Sequence, residues 1–332
     1  MSWLHDALRR LPEPDRDAAA AVRARADDIL RPSGALARLD DVAVHMAAWQ
    51  RTATPRVARP AALVFAGDHG VAEHGDVSAY PTAVTAAMLA ACRQGKATIC
   101  ALAHSVGATL ETVDAGVGRP TGDIRYEAAM TRGRFDEVVA QAVAAVDALD
   151  TDLLVLGEIG IGNTTAAAAL AGALLGGDAA TWVGRGTGVD DAGLERKRAA
   201  VAAVIDRTSN IGDPIEIMRE AGGAELTAMA AATVAARLRS IPVVLDGYVV
   251  TSAVLPLHVA APGALDHCIV GHCSAEPGHR QVLDAIAKPV LLDLGMRLGE
   301  GSGAMVAVPI VRAACDAVVE VATFTEWFGQ GQ

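Results

Sequence analysis

Two kinds of chemistry, anion binding and proton transfer, are suggested by the short glycine-rich stretches of this sequence. In Leu156-Gly157-Glu158-Ile159-Gly160-Ile161-Gly162-Asn163-Thr164-Thr165 an apolar run enters a glycine turn and leaves it through Asn and Thr into a run of alanines. That order brings unpaired backbone N–H groups and the positive end of a helix to one spot, which suits a phosphate. Gly160, Gly162, Asn163 and Thr164 are the candidate contacts, and an ordinary capped helix start is the competing reading. A second cluster, Gly184-Arg185-Gly186-Thr187-Gly188, precedes a helical run carrying Lys197, one of the three lysines Lys96, Lys197 and Lys288. Lys197 is either a phosphate ligand or part of a solvated helix face. Glu300, in Leu298-Gly299-Glu300-Gly301, has backbone freedom on both sides and an apolar neighbour that raises its proton affinity. It is either a general base or a solvent-facing loop glutamate.

Two further segments are polar without a settled role. The loop Gly67-Asp68-His69-Gly70 to Tyr80-Pro81 holds His69, Glu73, His74 and Asp76, metal-ligating types that lack the paired helical spacing of a ligand set. No metal is expected. Tyr80 offers an amphipathic ring to an apolar ligand, or simply packs the loop. In Gly271-His272-Cys273-Ser274-Ala275-Glu276-Pro277, Pro277 suits a helix start that Ser274 would cap.

The familiar nucleotide fingerprints fail. A Walker loop needs Gly-Lys-Ser/Thr, which is absent here. A dinucleotide loop needs a third glycine where Thr165 stands, and the next expected strand, Ala180 to Val183, ends without a ribose-binding acid. A phosphate-bearing mononucleotide fits better than a nicotinamide-dependent oxidoreductase. A non-catalytic nucleotide-binding protein would keep the phosphate loop and have no use for Glu300.

These loops must be carried by a sheet. Six short apolar runs, ending near Asp68, Asp114, Glu158, Gly247, Gly271 and Gly295, alternate with amphipathic helical segments. This alternation predicts an α/β fold with a Rossmann-like, mainly parallel sheet and helices on both faces. Four of the runs end in an acid beside glycine (Asp68, Asp114, Glu158, Asp246), at the strand ends where such sheets bind ligands. Residues 1–58 read as helices only, and Ala304 to Val321 as a long Ala/Val helix able to pack back on them. The expected division is therefore a large domain, 59–303, and a small helical domain from 1–58 and 304–332.

Composition narrows the class further. With 52% hydrophobic and 3% aromatic residues, a packed aliphatic core is expected rather than disorder. The net charge of −11 argues against nucleic acid as a partner. The longest apolar run, Ala166 to Gly177, falls short of the roughly 20 residues of a membrane span, and no secretory signal is seen, so a cytoplasmic protein without a membrane partner is expected. The five scattered cysteines read as buried free thiols.

Taken in order, DHGVAEHG, VSAYP, GEIGIGNTTAAAAL, GRGTGVD, IPVVLDGY, SAEPGH and LLDLGMRLGEGSGA, spread over about residues 60 to 305, make the chain similar to the nicotinate-nucleotide:dimethylbenzimidazole phosphoribosyltransferase family of cobalamin assembly. The resemblance implies a homodimer that moves phosphoribose from nicotinate mononucleotide to 5,6-dimethylbenzimidazole, giving α-ribazole 5′-phosphate and nicotinate. It implies small-molecule substrates and no cofactor. By motif position Glu300 matches the catalytic base. Glu158, Gly160 and Lys197 match residues around the phosphate, with Gly186 in the loop beside them. Tyr80 and Leu298 match the base pocket, where Ala79 and Ala87 also fall. Ala87 stands before Met88 where many members carry glutamine, and Cys273 replaces an expected polar residue, so the preferred acceptor base stays open.

Overall fold

The six apolar runs that alternate with helical segments all become strands in the computed structural model, which describes residues 2–74 and 77–329. Three helices come first: α1 (Trp3–Leu8), α2 (Arg16–Asp28) and α3 (Arg38–Gln50). The sheet region follows as β1 (Pro60–Gly67), α4 (Ala83–Arg93), α5 (Thr98–Val106), β2 (Thr109–Gly116), α6 (Arg132–Asp147) and β3 (Leu153–Ile159). Next come α7 (Asn163–Leu175), α8 (Ala179–Trp182), α9 (Asp191–Thr208), α10 (Pro214–Ala221), α11 (Ala224–Leu238), β4 (Val243–Leu245) and α12 (Tyr248–Ala260). The chain closes with β5 (Cys268–His272), α13 (His279–Ala285), β6 (Val290–Leu292), α14 (Ser302–Val319) and α15 (Phe324–Phe328).

The six strands are parallel, in the order β2-β1-β3-β4-β5-β6. From β1 the chain goes first to β2 on one side and then to β3 on the other, so the order reverses at β1 and opens a crevice beyond the carboxyl ends. Alternate residues serve opposite faces: Leu63, Phe65, Leu154 and Leu156 join one apolar cluster, Val64 and Val155 the other. Strands buried on both faces must be apolar at every position, which is why they read as unbroken runs.

One helix ties the chain's end to the sheet. The first part of α14 (Ala304, Met305, Val308, Val311) packs on β5, β3 and β4, while its last turn, with Val318, meets Val22, Ala26, Ile29, Ala43 and Ala47 of the N-terminal helices. A bridge between Ile29 and Thr323 fastens the two ends. Among the described residues α14 alone is long and apolar enough to cross a membrane by composition, and its apolar face is spent on the sheet. The α1 helix stands apart from this junction: Leu4 and Ala7 belong to the cluster on the opposite face.

Two local expectations are corrected. Residues 180–182 belong to the short helix α8 rather than to a strand, with Val183 just beyond it, because Asp178 accepts from Ala180 N and the Trp182 indole donates to Gly176 O, closing a turn. The helix expected from Pro277 starts at His279; Ser274 Oγ accepts from Glu276 N, which makes a turn ahead of the helix instead of capping it. Of the cysteines, Cys92, Cys268, Cys273 and Cys315 are buried and Cys100 is half-buried, all as free thiols.

Leu156 is fully buried in β3 and pairs in register with Leu63. Leu156→Ala is expected to cost roughly 2–5 kcal/mol, read as a lower denaturant midpoint with an unchanged slope.

Candidate active site

Beyond the strand ends lies a crevice of about 560 Å³. One wall is the turn after β3. Its residues Gly160 to Thr164 lead into α7, with Gly162 at a left-handed φ of 95° as the cap. Asn163 does not cap the helix itself: its Nδ2 donates to Glu158 Oε2. Lys197 projects from α9 to the same corner, 1% exposed, where Nζ donates to Thr164 Oγ1 at 3.0 Å and Gly184 O at 2.9 Å. Burial lowers its pKa to about 8, against the opposing charge of Glu276. Of the two readings of Lys197, the solvated helix face is therefore excluded.

Glu300 forms the floor. It sits in a run of left-handed residues, with φ of 86° at Gly299, 63° at Glu300 and 83° at Gly301. A glutamate held in that region carries backbone strain that the surroundings must enforce. They do so by close approach: Glu300 N donates to Glu158 O at 3.1 Å, laying the turn directly on β3 at Gly157, where a Cβ would overlap the Glu300 carbonyl. The side chain, 6% exposed, then reaches α5, where Oε2 accepts from Ile99 N at 3.3 Å. Burial raises the proton affinity of Glu300, the Ile99 amide lowers it and the charge of Asp246 raises it again, with a net upward shift. Glu158 is pushed well above the usual carboxylate range by burial first, then by Asp246 and Glu225.

Asp246, after β4, is 1% exposed; its Oδ1 accepts from Ala304 N at 2.8 Å and lies 3.3 Å from His272 Nε2. His279, whose pKa burial lowers to about 3, accepts from Ser274 N at 2.7 Å through Nδ1 and so holds the loop after β5. The mouth is apolar: Tyr80, Val84, Met88 and Leu298 line it, with Tyr80 53% and Leu298 54% exposed. Arg297 is the sole lysine or arginine among the described lining residues, and its Nη1 donates to Gly186 O at 2.9 Å, joining two loops.

The structure thus brings Tyr80, Glu158, Gly160, Asn163, Thr164, Gly186, Leu298 and Glu300 around one crevice, with Gly162 and Lys197 directly behind its wall. Ala79 and Ala87 do not line it. Ala79 N donates to Thr187 Oγ1, and Ala87 lies on the exposed side of α4, next to the lining Met88. Of the four strand-end acids, Glu158 and Asp246 face the crevice. Asp68 instead accepts from Gly118 N, and Asp114 from Gly116 N and Val117 N, as loop supports. His69 is buried behind the phosphate-type turn against Glu225 at 2.5 Å, while Glu73 and His74 are exposed and Asp76 lies outside the described residues. Sequence reasoning left His272, Glu276, Tyr248, Val84 and Met88 off the site. For Val84 and Met88 the signal was their i, i+4 spacing on one helix face; Tyr248 and Glu276 stood in the runs IPVVLDGY and SAEPGH, and His272 just before the latter.

Known proteins resemble this chain over nearly its whole length. A family model described as phosphoribosyltransferase matches residues 11–327. A nicotinate-nucleotide–dimethylbenzimidazole phosphoribosyltransferase of Cereibacter sphaeroides is 47% identical over 95% of this chain and 93% of its own length. That of Methylocella silvestris is 48% identical over 96% of this chain and 93% of its own. The crystal structure of CobT from Thermus thermophilus superposes with a TM-score of 0.89 at 40% identity, covering 93% of this chain and 98% of that one.

The approach at Gly157 yields a direct test. Gly157→Ala is expected to lift the 299–301 turn off β3 and break the Glu300 contact with Ile99, visible in a crystal structure of the variant and as a lowered melting temperature.

Proposed function

The chain belongs to the nicotinate-nucleotide–dimethylbenzimidazole phosphoribosyltransferase family, and we propose that its crevice moves phosphoribose from nicotinate mononucleotide to 5,6-dimethylbenzimidazole, giving α-ribazole 5′-phosphate and nicotinate in cobalamin lower-ligand assembly. The observation that carries the reading is the placement of Glu300, a buried carboxylate of raised proton affinity, in the same crevice as the α7 amino terminus. This transferase membership decides against the dinucleotide oxidoreductase and the non-catalytic binding protein.

The phosphate is assigned to the amides of the Gly160–Thr164 turn, to Gly186 and to Lys197; Glu158 lines the space beside them. The acceptor base lies between Tyr80, Val84, Met88 and Leu298. One azole nitrogen attacks C1′ of the ribose while the C1′–pyridinium bond breaks, its electron pair staying on the nicotinate nitrogen. Glu300 takes the N–H proton from the other azole nitrogen. A leaving pyridinium needs no acid to protonate it, so the protein's task is to hold two rings on opposite faces of one ribose. Orientation of that kind can contribute roughly 7–11 kcal/mol, and a general base about 10²–10⁴ in rate.

The same proposal includes a homodimer in the cytoplasm, and a small helical domain from 1–58 and 304–332 beside a large one over 59–303. The apolar cluster that joins Val22, Ala26 and Ile29 to Val318 supports the latter.

Two outcomes test the assignments. Glu300→Gln is expected to lower turnover by about 10²–10⁴ with nucleotide affinity unchanged; near-wild-type turnover removes Glu300 as base. Lys197 holds a phosphate only as the ammonium, so kcat/KM for the nucleotide should fall as pH rises through about 8, where that proton is lost. Lys197→Ala should weaken nucleotide binding roughly 10- to 100-fold and remove that limb of the profile.

A further inference from the structure

Glu276 is a crevice acid for which the reaction above has no use. It lies in the loop after β5, lines the crevice, and is 9% exposed, yet its Oε2 has no hydrogen-bond partner among the described residues. Its three neighbours are all supplied: Glu158 by Asn163 Nδ2, Asp246 by Ala304 N at 2.8 Å, Glu300 by Ile99 N at 3.3 Å. A carboxylate accepts only, and leaving one buried without a donor is costly. The surroundings say where the missing donor belongs. Oε2 rests against Gly184, in the space a side chain there would fill, and Gly184 O is the acceptor of Lys197 Nζ. Ser274 Oγ accepts from Glu276 N at 3.3 Å and steadies the loop. Glu276 therefore lines the crevice on the side where Lys197 and Thr164 stand.

Nicotinate mononucleotide has few groups able to satisfy it. Its phosphate and carboxylate are acceptors and its ring nitrogen carries no hydrogen, which leaves the 2′ and 3′ hydroxyls as the only donors. We propose that Glu276 is the ribose-recognising residue, its carboxylate accepting from the vicinal hydroxyls of the donor nucleotide and thereby selecting ribonucleotide over deoxyribonucleotide. The inference rests on the crevice being the nucleotide site.

The test is calorimetric titration of the full-length protein with nicotinate mononucleotide and with its 2′-deoxy and 3′-deoxy analogues. Wild type should prefer the ribonucleotide over at least one analogue by roughly 10- to 100-fold, the value of a hydrogen bond to a charged group. In Glu276→Ala and the bulkier Glu276→Leu that ratio should collapse toward unity. Loss of the carboxylate and loss of the hydroxyl then fail to add, as expected for two halves of one contact. A preference that survives in either variant overturns the proposal, and so does a wild type that binds all three nucleotides alike, a result that depends on no variant folding. The transferase reading is checked separately by nicotinate release from wild type with dimethylbenzimidazole. Absence of release would sink that reading, whereas the binding ratios would still decide Glu276.

Discussion

Three buried carboxylates in the crevice are each held at the first turn of a different helix. Glu300 accepts from Ile99 in α5, Glu158 from the side chain of Asn163 at the start of α7, and Asp246 from Ala304 in α14. Away from bulk water an ionised carboxylate needs fixed donors, and helix starts have N–H groups with no partner of their own. Meeting that need requires α5, α7 and α14 to begin at one place, which a parallel sheet allows because its crossover helices start on the same side as the strands end. The reversal of strand order at β1 then leaves the opening into which the acids face.

Crowding acids in this way has a chemical consequence. Burial first, and the charge of Asp246 after it, raise the proton affinity of Glu300 and carry Glu158 well above the usual carboxylate range. For a group that must accept a proton from an azole, such a shift makes the carboxylate a better base. The phosphate corner is arranged oppositely. There the α7 amino terminus and the buried Lys197 oppose an overall charge of −11, so that one crevice offers an anion site and a proton acceptor at separate points.

The α14 helix connects stability with this arrangement. Its apolar face covers the sheet, its end joins the N-terminal helices, and the strained turn carrying Glu300 immediately precedes it. The strain at Glu300 is offset by the contacts that anchor α14, so the geometry of the base depends on core packing as well as on its immediate neighbours.

The inner strands β1, β3, β4 and β5 were legible because burial on both faces leaves each one a mainly aliphatic run, and the glycine turns because backbone conformation is a local demand. Glu300, Gly160 and Lys197 could be singled out for the same reason: each stands in or just after a glycine cluster. Where the reading failed, the deciding contact was remote in sequence or the signal ambiguous. Residues 180–183 had the composition of a strand, and 180–182 were turned into a helix by Asp178 and Gly176. Asp68 and Asp246 look alike in sequence; one supports a loop at Gly118 and the other reaches α14, and only folding separates them. Glu276, His272 and the His69–Glu225 pair carry no periodic signal, and the runs SAEPGH and DHGVAEHG that hold Glu276 and His69 do not reveal their partners, which come from other strands and helices. Local backbone preference and hydrophobic pattern thus determined the elements and the loops, whereas the company each polar side chain keeps was decided by the packing of segments remote in sequence, as Ile99 and Glu300, 201 residues apart, are.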